Sequence, residues 1–254
     1  MANIISIVNQ KGGVGKTTTA INLAAYLAQA GRRILVVDID PQANATSGLG
    51  IKHQELANGL YEALAGQVGF RKIIINTKQD FLKVAPATIS LAGANIELVN
   101  VENREFLLEE LVRSVQDEYD YIFIDCPPSL ALLTVNGLVA ADEILIPVQS
   151  EYYALEGLGQ LLYTINLVQS NLKPNLGILG AVITMYTRKN RLSQEVLREL
   201  YQYFPNKIFR TIIPRDTVLA EAPSYGQTII EYAPYSKGAR SYERLAGELL
   251  EMEK

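Results

Sequence analysis

Residues 3–18, NIISIVNQKGGVGKTT, decide the fold of this chain. The run from Asn3 to Val8 is rich in β-branched residues and predicts a strand that stops at a cluster of glycine and lysine. From Thr17 to Ala30 the apolar residues recur at helical spacing, so a helix follows the cluster directly. Gly31 ends this helix, and Arg33 to Asp38 (RILVVD) is a second apolar strand that ends in a carboxylate. Strand, loop, helix and strand make a βαβ unit, the building block of a parallel sheet.

The same alternation continues along the chain. Further strands are predicted at Phe81 to Ala85, Tyr121 to Asp125, Ile144 to Val148, Gly177 to Thr184 and Phe209 to Ile213. Helices are predicted at Leu91 to Val115, Leu155 to Gln169, Leu192 to Tyr203 and Ser236 to Leu250. Strands that are apolar throughout need helices on both faces of the sheet. We therefore expect an α/β fold with a doubly wound, mostly parallel sheet flanked by helices, as a single domain over residues 1–254.

Composition limits the function. The chain has 254 residues, of which 48% are hydrophobic, so it can bury a sizeable core. Its net charge of -4 means that any contact with nucleic acid must come from a local basic patch. One cysteine, Cys126, provides neither an internal disulfide nor a paired metal site. With no leader-like N-terminus and no run of 18 apolar residues, we expect a soluble, cytoplasmic protein.

The glycine cluster between the first strand and the first helix has the composition of a phosphate-binding loop. Glycines let several main-chain N–H groups point at phosphate oxygens, Lys16 neutralises the β and γ charges, and the Thr17 hydroxyl can bind Mg²⁺. The usual pattern has a glycine where this chain has Gln10, and the usual pattern requires no lysine where this chain has Lys11. The candidate nucleotide-binding residues are Lys11, Gly12, Gly13, Val14, Gly15, Lys16, Thr17 and Thr18.

Two lysines flank these glycines, which is more positive charge than one pair of phosphates needs. The curved loop also makes it difficult for Lys11 and Lys16 to reach the same oxygens. Our interpretation is that Lys11 serves a nucleotide held by a partner subunit. The alternative is an ordinary solvated loop lysine.

Three aspartates follow predicted strands. Asp38 and Asp125 end their strands, and the carboxyl ends of parallel strands carry ligand sites, so we expect both near the loop as Mg²⁺ ligands together with Thr17. Asp40 lies two residues further on and is placed to orient or polarise an attacking water. We therefore take Lys11, Lys16 and Asp40 as the catalytic candidates. The alternative for each aspartate is a carboxylate satisfied by main-chain N–H groups at a turn.

Five motifs together resemble one family. They are Asn9 to Thr18 (NQKGGVGKTT), Asp38 to Gln42 (DIDPQ), Ile124 to Pro128 (IDCPP), Pro214 to Asp216 (PRD) and Glu221 to Ser224 (EAPS). In this order they closely resemble the ParA/Soj ATPases of bacterial chromosome and plasmid partition, and the likeness extends over almost the whole chain.

The resemblance implies a P-loop NTPase with a deviant Walker A motif that binds ATP and Mg²⁺ and forms a nucleotide sandwich homodimer. Lys11 would reach the partner's phosphates, and Asp40 would act on the hydrolytic water. In that family the ATP-bound dimer binds double-stranded DNA without sequence preference, on the nucleoid, and a ParB-like partner stimulates slow hydrolysis. The adenine contacts that the resemblance implies are Met185, Pro214, Arg215 and Asp216.

Related functions stay open as alternatives: a ParA-like ATPase that positions a protein cargo, a MinD-like membrane-cycling regulator, and an ATP-dependent enzyme acting on a small molecule. MinD proteins usually have Ser-Gly where this chain has Asn9-Gln10, and they end in a cationic amphipathic helix. Here residues 241–254 carry four acids and two basic residues, so an anionic membrane would repel them. We therefore expect no membrane binding.

A basic segment is the candidate DNA surface. Between Tyr186 and Arg215 the chain has seven basic and two acidic residues, a local charge of +5 on a chain of -4. A smaller cluster near the C-terminus can extend it. The alternative is an ordinary solvated face. The candidate DNA-binding residues are Arg188, Lys189, Arg191, Lys207, Arg210, Lys237 and Arg240.

Overall fold

A computed structural model describes residues 1–151, 154–187 and 191–253. Its centre is a sheet in which eight strands are described, in the order β3-β4-β2-β5-β1-β6-β7-β8. The strands are β1 (Asn3–Ile7), β2 (Ile34–Asp38), β3 (Ile75–Asn76), β4 (Leu82–Ala85), β5 (Tyr121–Asp125), β6 (Glu143–Gln149), β7 (Gly177–Tyr186) and β8 (Ile208–Pro214). All neighbours pair in parallel except β3 with β4, which confirms the predicted mostly parallel sheet.

Helices cover both faces of the sheet. They are α1 (Lys16–Gln29), α2 (Asn44–Gly48), α3 (Leu60–Leu64), α4 (Phe70–Ile73), α5 (Ala94–Glu97), α6 (Leu107–Arg113), α7 (Leu132–Ala140), α8 (Ala154–Asn171), α9 (Arg191–Tyr203), α10 (Val218–Glu221), α11 (Ile229–Tyr232) and α12 (Lys237–Met252). None of those in the described ranges is long and apolar enough to cross a membrane.

Successive strand residues point to opposite faces, and each face has its own core. In β1, Ile5 packs with residues of α1 and α12, while Ile4 packs with residues of α7 and α8. All five residues of β2 and of β5 are buried, as strands covered on both sides should be. The sheet is therefore the middle layer of three.

One predicted helix is wrong. The region from Leu91 to Val115 is not a continuous helix: two 3₁₀ turns, Ile89–Gly93 and Leu98–Asn100, surround the single turn of α5, and α6 begins only at Leu107. Asn103 has a φ of +54°, which interrupts helical geometry. The start of α6 is fixed from outside, because the Asn136 side chain accepts from Leu108 N and donates to the Arg104 main-chain oxygen.

Helix α7 was not predicted from the sequence. Seven of its nine residues are buried, among them the polar Thr134 and Asn136, so the helix has no exposed polar stripe to indicate a helical period.

Three strands bring their carboxyl ends together. Asp125 at the end of β5 lies in register with Ile7 of β1 on one side and with Asp38 of β2 on the other. The loops that follow these three strands therefore meet at one edge of the sheet, where ligand sites of open α/β sheets lie.

Candidate functional site

The loop between β1 and α1 is shaped by glycines. Gly13 and Gly15 have φ values of +72° and +91°, a backbone conformation that costs other residues energy. Gly15 immediately precedes α1, and no side chain caps the helix. The N–H groups of the first turn lack intrahelical partners and lie at the positive end of the helix dipole. The loop is therefore suited to an anion such as phosphate.

Lys16, the first residue of α1, is a buried cation. Its Nζ donates to the Lys11 main-chain oxygen at 3.2 Å, the acceptor that it meets among the described residues. Burial lowers the pKa of Lys16, and the negative charges of Asp125 and Asp40 oppose that effect. Because an ammonium group has three donors, Lys16 retains donors for an anionic ligand.

Thr17 and Asp125 form the candidate metal site. Thr17 Oγ1 donates to Asp125 Oδ2 at 2.7 Å. The other oxygen, Asp125 Oδ1, is buried and has no hydrogen-bond partner in the part of the chain that the structure describes. Burial and the nearby Asp38 raise the pKa of Asp125 well above its usual value. A carboxylate with a vacant oxygen beside a hydroxyl fits Mg²⁺ or its bound water.

Asp38 and Asp40 are arranged differently. Asp40 lies in the wall of the cleft, almost completely buried, and its Oδ1 accepts from Gln42 N at 3.0 Å. Asp38 is fully buried, and both of its oxygens are engaged: Oδ1 by Asp40 N, and Oδ2 by the N–H and hydroxyl of Thr46. Burial raises the pKa of Asp38 to about 6. Of the two carboxylates predicted to bind metal, only Asp125 offers an oxygen without a partner among the described residues.

Two adjoining cavities lie beside the glycine loop. One, of about 500 Å³, is lined by the residues from Gly12 to Thr18 except Val14, by Asp40 and by Pro128. The other, of about 230 Å³, is mostly apolar and is lined by the four residues predicted to contact adenine, Met185, Pro214, Arg215 and Asp216. Both cavities share Gly15, Thr18, Met185, Leu219 and Ala220. A polar phosphate end and an apolar end, joined in this way, match the shape and chemistry of a nucleotide.

Lys11 lies outside this cleft. Its side chain borders a separate concavity of about 490 Å³, together with Pro128 and Gln160. Lys11 Nζ is 3.6 Å from Glu151 Oε2, and the other Glu151 oxygen accepts from Arg215. Lys11 is therefore not placed to contact phosphates in the same cleft as Lys16.

The predicted DNA-binding residues are only partly brought together. Arg210, Lys237 and Arg240 line one groove of about 1180 Å³ with Arg244. Lys207 borders a neighbouring concavity, where its Nζ donates to the Ile178 main-chain oxygen. Arg188 and Lys189 lie outside the described residues, as does the side chain of Arg191.

Acidic residues reduce the charge of this groove. Helix α12 contributes Glu243, Glu248 and Glu251 to a lining with four basic residues. Arg210 forms ion pairs with Glu248 and Glu251, at 3.5 and 2.6 Å. The +5 charge of the linear segment is therefore larger than the charge that the groove presents.

Some site residues escaped the sequence analysis. Thr184 Oγ1 donates to the Val14 main-chain oxygen at 2.7 Å and so ties the end of β7 to the glycine loop. Tyr242 of α12 lines the apolar cavity, and its hydroxyl is 3.1 Å from Thr19 Oγ1. These residues come from distant segments and carry no local motif, so only the folded chain identifies them.

Comparison with known proteins agrees with this geometry. A family model described as an AAA domain, AAA_31, matches residues 2–178. The chromosome partitioning protein ParA of Myxococcus xanthus is 52% identical over 250 residues, which are 98% of this chain and 88% of that protein. The sporulation initiation inhibitor protein Soj of Bacillus subtilis is 52% identical over 249 residues, 98% of each chain.

A solved structure of the same fold has a nucleotide bound. It is cobyrinic acid a,c-diamide synthase from Mycobacterium smegmatis with an ATP analogue and magnesium, 36% identical, with a TM-score of 0.90 over 100% of this chain and 96% of the other.

Proposed function

The chain belongs to the ParA/Soj family of ATPases, and from that membership we propose that it is an ATP-dependent switch for DNA partition. In the proposed cycle, ATP and Mg²⁺ join two subunits into a sandwich dimer, and the dimer binds double-stranded DNA without sequence preference. A ParB-like partner then stimulates slow ATP hydrolysis, which releases the protein from DNA. The observation that carries the proposal is the pair of lysines, with Lys16 in the cleft and Lys11 outside it.

The residues around the cleft divide the chemistry of phosphoryl transfer among them. The glycine loop and Lys16 hold the phosphates. Thr17 and Asp125 would hold Mg²⁺, which would neutralise the negative charge that develops on the phosphate oxygens. Asp40 orients the attacking water and accepts its proton. This transfer requires little from a protein beyond placement and charge, and a cleft with one buried lysine and one vacant carboxylate oxygen provides both.

Dimerisation explains why a second lysine is present. Lys11 is held by Glu151 at the surface of a concavity that lies outside its own cleft. In the proposed dimer, Lys11 leaves Glu151 for the phosphates bound by the partner subunit. The partially exposed pair of Lys11 and Glu151 is weak enough to exchange for a phosphate contact.

The groove supplies the proposed DNA contacts. Lys237, Arg240 and Arg244 have no acidic partner within the described ranges, which leaves about three cations for each subunit. The slope of log K against log salt is about -0.9 for each phosphate contact on duplex DNA, so pairing two subunits takes it from about -3 to about -5. ATP can thus switch DNA binding simply by doubling the contacts.

A retention assay on DNA with ATP, ADP or no nucleotide tests the proposal. Wild type should be retained only with ATP, Lys16→Ala should not be retained, and Asp40→Ala should dimerise and remain on DNA with poor turnover. Arg240→Glu should keep ATP binding and lose DNA, whereas Lys72→Glu, an equal charge change at an exposed position on α4, should retain DNA. If ATP makes no difference to retention of wild type, the switch does not exist.

A further inference from the structure

Thr46 lies at the centre of a buried hydrogen-bond chain beside the cleft. It belongs to α2 and is fully buried. Its Oγ1 donates to Asp38 Oδ2 at 2.7 Å, and its N–H donates to the same oxygen at 2.8 Å. Oγ1 also accepts from Ala87 N at 3.0 Å. Thr46 therefore links the segment after β2 with the segment after β4.

The donors and acceptors in this series of hydrogen bonds fix which atom donates in each one. The hydroxyl of Thr46 has one proton, which goes to Asp38, and its lone pair receives the N–H of Ala87. The second oxygen of Asp38 receives Asp40 N at 3.1 Å. While Asp38 is ionised, no rotation of the hydroxyl serves Asp38 and Ala87 in any other way, because a carboxylate cannot donate and a main-chain N–H cannot accept.

Asp40 is thereby held at its main chain and at its carboxylate. Asp38 fixes its main-chain N–H, and Gln42 N donates to its Oδ1 at 3.0 Å. Within the described ranges Asp38 has no hydrogen bond with Thr17 or Lys16, whereas Thr17 Oγ1 donates directly to Asp125.

We propose that Thr46 and Asp38 are positioning residues, which hold Asp40 against the cleft, and that Asp38 does not bind the metal ion. This inference rests on the proposed role of Asp40 in hydrolysis. It separates two aspartates that occupy equivalent strand ends: Asp125 faces the metal, and Asp38 faces inward to organise the loop that carries Asp40.

Thr46→Val tests the positioning role, because valine keeps the shape and removes the hydroxyl. We expect kcat for ATP hydrolysis to fall by about 10- to 100-fold, as for a misplaced catalytic group, while the affinity for a fluorescent ATP analogue with Mg²⁺ changes less than about twofold. Thr46→Ser should restore most of kcat. In an Asp40→Ala background, Thr46→Val should cause no further loss, because the group that it positions is already absent.

Asp38→Asn and Asp125→Asn test the assignment of the metal. Asp125→Asn should raise the Mg²⁺ concentration needed for half-maximal nucleotide binding, and Asp38→Asn should leave it unchanged while lowering kcat. An equal rise in both variants would overturn the inference. So would a parallel loss of nucleotide affinity and kcat in Thr46→Val, or an additive loss in the double variant.

Amide hydrogen exchange of the wild-type protein gives a test that requires no variant to fold. The N–H groups of Asp40, Thr46 and Ala87 should exchange slowly, and rapid exchange would contradict the hydrogen-bond chain. If Asp40→Ala keeps normal turnover, the proposed role of Asp40 fails. That outcome is distinct from normal turnover in Thr46→Val alone, which overturns only the positioning role.

Discussion

At Asp125 the proposed function conflicts with stability. Its Oδ1 is buried without a hydrogen-bond partner among the described residues, and burial raises its pKa. A buried carboxyl whose folded-state pKa is raised binds a proton more readily in the folded than in the unfolded chain, so its contribution to stability falls as the pH rises above about 4. The proposed metal site is thus maintained at a cost to the ligand-free fold.

Replacing Asp125 with asparagine should therefore stabilise the ligand-free protein. At pH 7 to 8 we expect a gain of about 1 kcal/mol, or about 2–4 °C in the melting temperature, because a buried charge that Thr17 and Lys16 compensate only in part is removed. Below about pH 4 the gain should vanish, since the aspartate is then protonated in both states. Thermal melts of both proteins across this pH range measure the effect, and a gain that does not depend on pH would contradict the electrostatic cause.

At the residue scale, sequence motifs predicted the site better than they predicted individual roles. The loop glycines, Lys16, Thr17, Asp40 and Asp125 do lie around one cleft, because motifs at the ends of parallel strands converge wherever the sheet forms. The motif did not indicate that Asp38 faces Thr46, since the two residues are eight positions apart and meet only when α2 folds back. Their roles in catalysis and metal binding stay predictions.

At the element scale, α12 connects the apolar cavity with the basic groove. Its first turn is held by Asp216, whose Oδ2 accepts from Gly238 N at 2.9 Å. A Cβ atom at Gly238 would lie 2.7 to 2.9 Å from three side-chain atoms of Leu219, which lines the cavity. At Gly247 of the same helix a Cβ atom would meet nothing within 4 Å.

Two glycine-to-alanine substitutions on α12 should therefore have opposite effects. Gly247→Ala should stabilise the protein by up to about 1 kcal/mol, because alanine is the better helix former. Gly238→Ala should destabilise it by about 1–3 kcal/mol through overpacking against Leu219, and it should weaken nucleotide binding as the cavity wall shifts. Denaturant unfolding and nucleotide titration measure both, and similar behaviour of the two variants would contradict this packing.

Elements were predictable where local pattern and burial agree. The strand at Tyr121–Asp125 was predicted to the residue, since its apolar residues form a short run between Asp120 and Asp125. The break between residues 91 and 115 was not, because a left-handed asparagine and a cap from Asn136 override the helical spacing. Tertiary contacts decided these boundaries, and they have no signature in a linear pattern.

At the scale of the whole molecule, the fold changes the charge that DNA would meet. The basic segment before Arg215 appeared uncompensated in the linear sequence, yet α12 brings three glutamates to the same groove. Glu248 and Glu251 differ in burial and in the atoms that they contact. Glu248 is largely buried and accepts from the main-chain N–H groups of Arg210 and Thr211 on the edge strand β8, whereas Glu251 is exposed and contacts the Arg210 side chain. Glu251 can thus be neutralised without disturbing the sheet.

Glu251→Gln should strengthen DNA binding by the ATP-bound protein. The substitution removes the shorter of the two ion pairs of Arg210, at 2.6 Å, and leaves the longer one with Glu248, at 3.5 Å, so the Nη2 end of the guanidinium becomes available to a phosphate. One added contact for each subunit should make the slope of log K against log salt steeper by about 0.9, or about 1.8 for a dimer, with ATP affinity unchanged. Binding titrations on random-sequence duplex DNA at several salt concentrations measure the slope.

The control for net charge is Glu55→Gln, which removes the same charge from an exposed pair with Lys52 that does not line the groove. It should leave the slope as in wild type, because counterion release depends on the cations that touch phosphate and not on the total charge. In an Arg210→Ala background Glu251→Gln should also have no effect, since the cation that it restrains is gone. An equal change of slope in the Glu55 variant, or an undiminished one without Arg210, would mean that Glu251 acts through the general field of the protein and not through this ion pair.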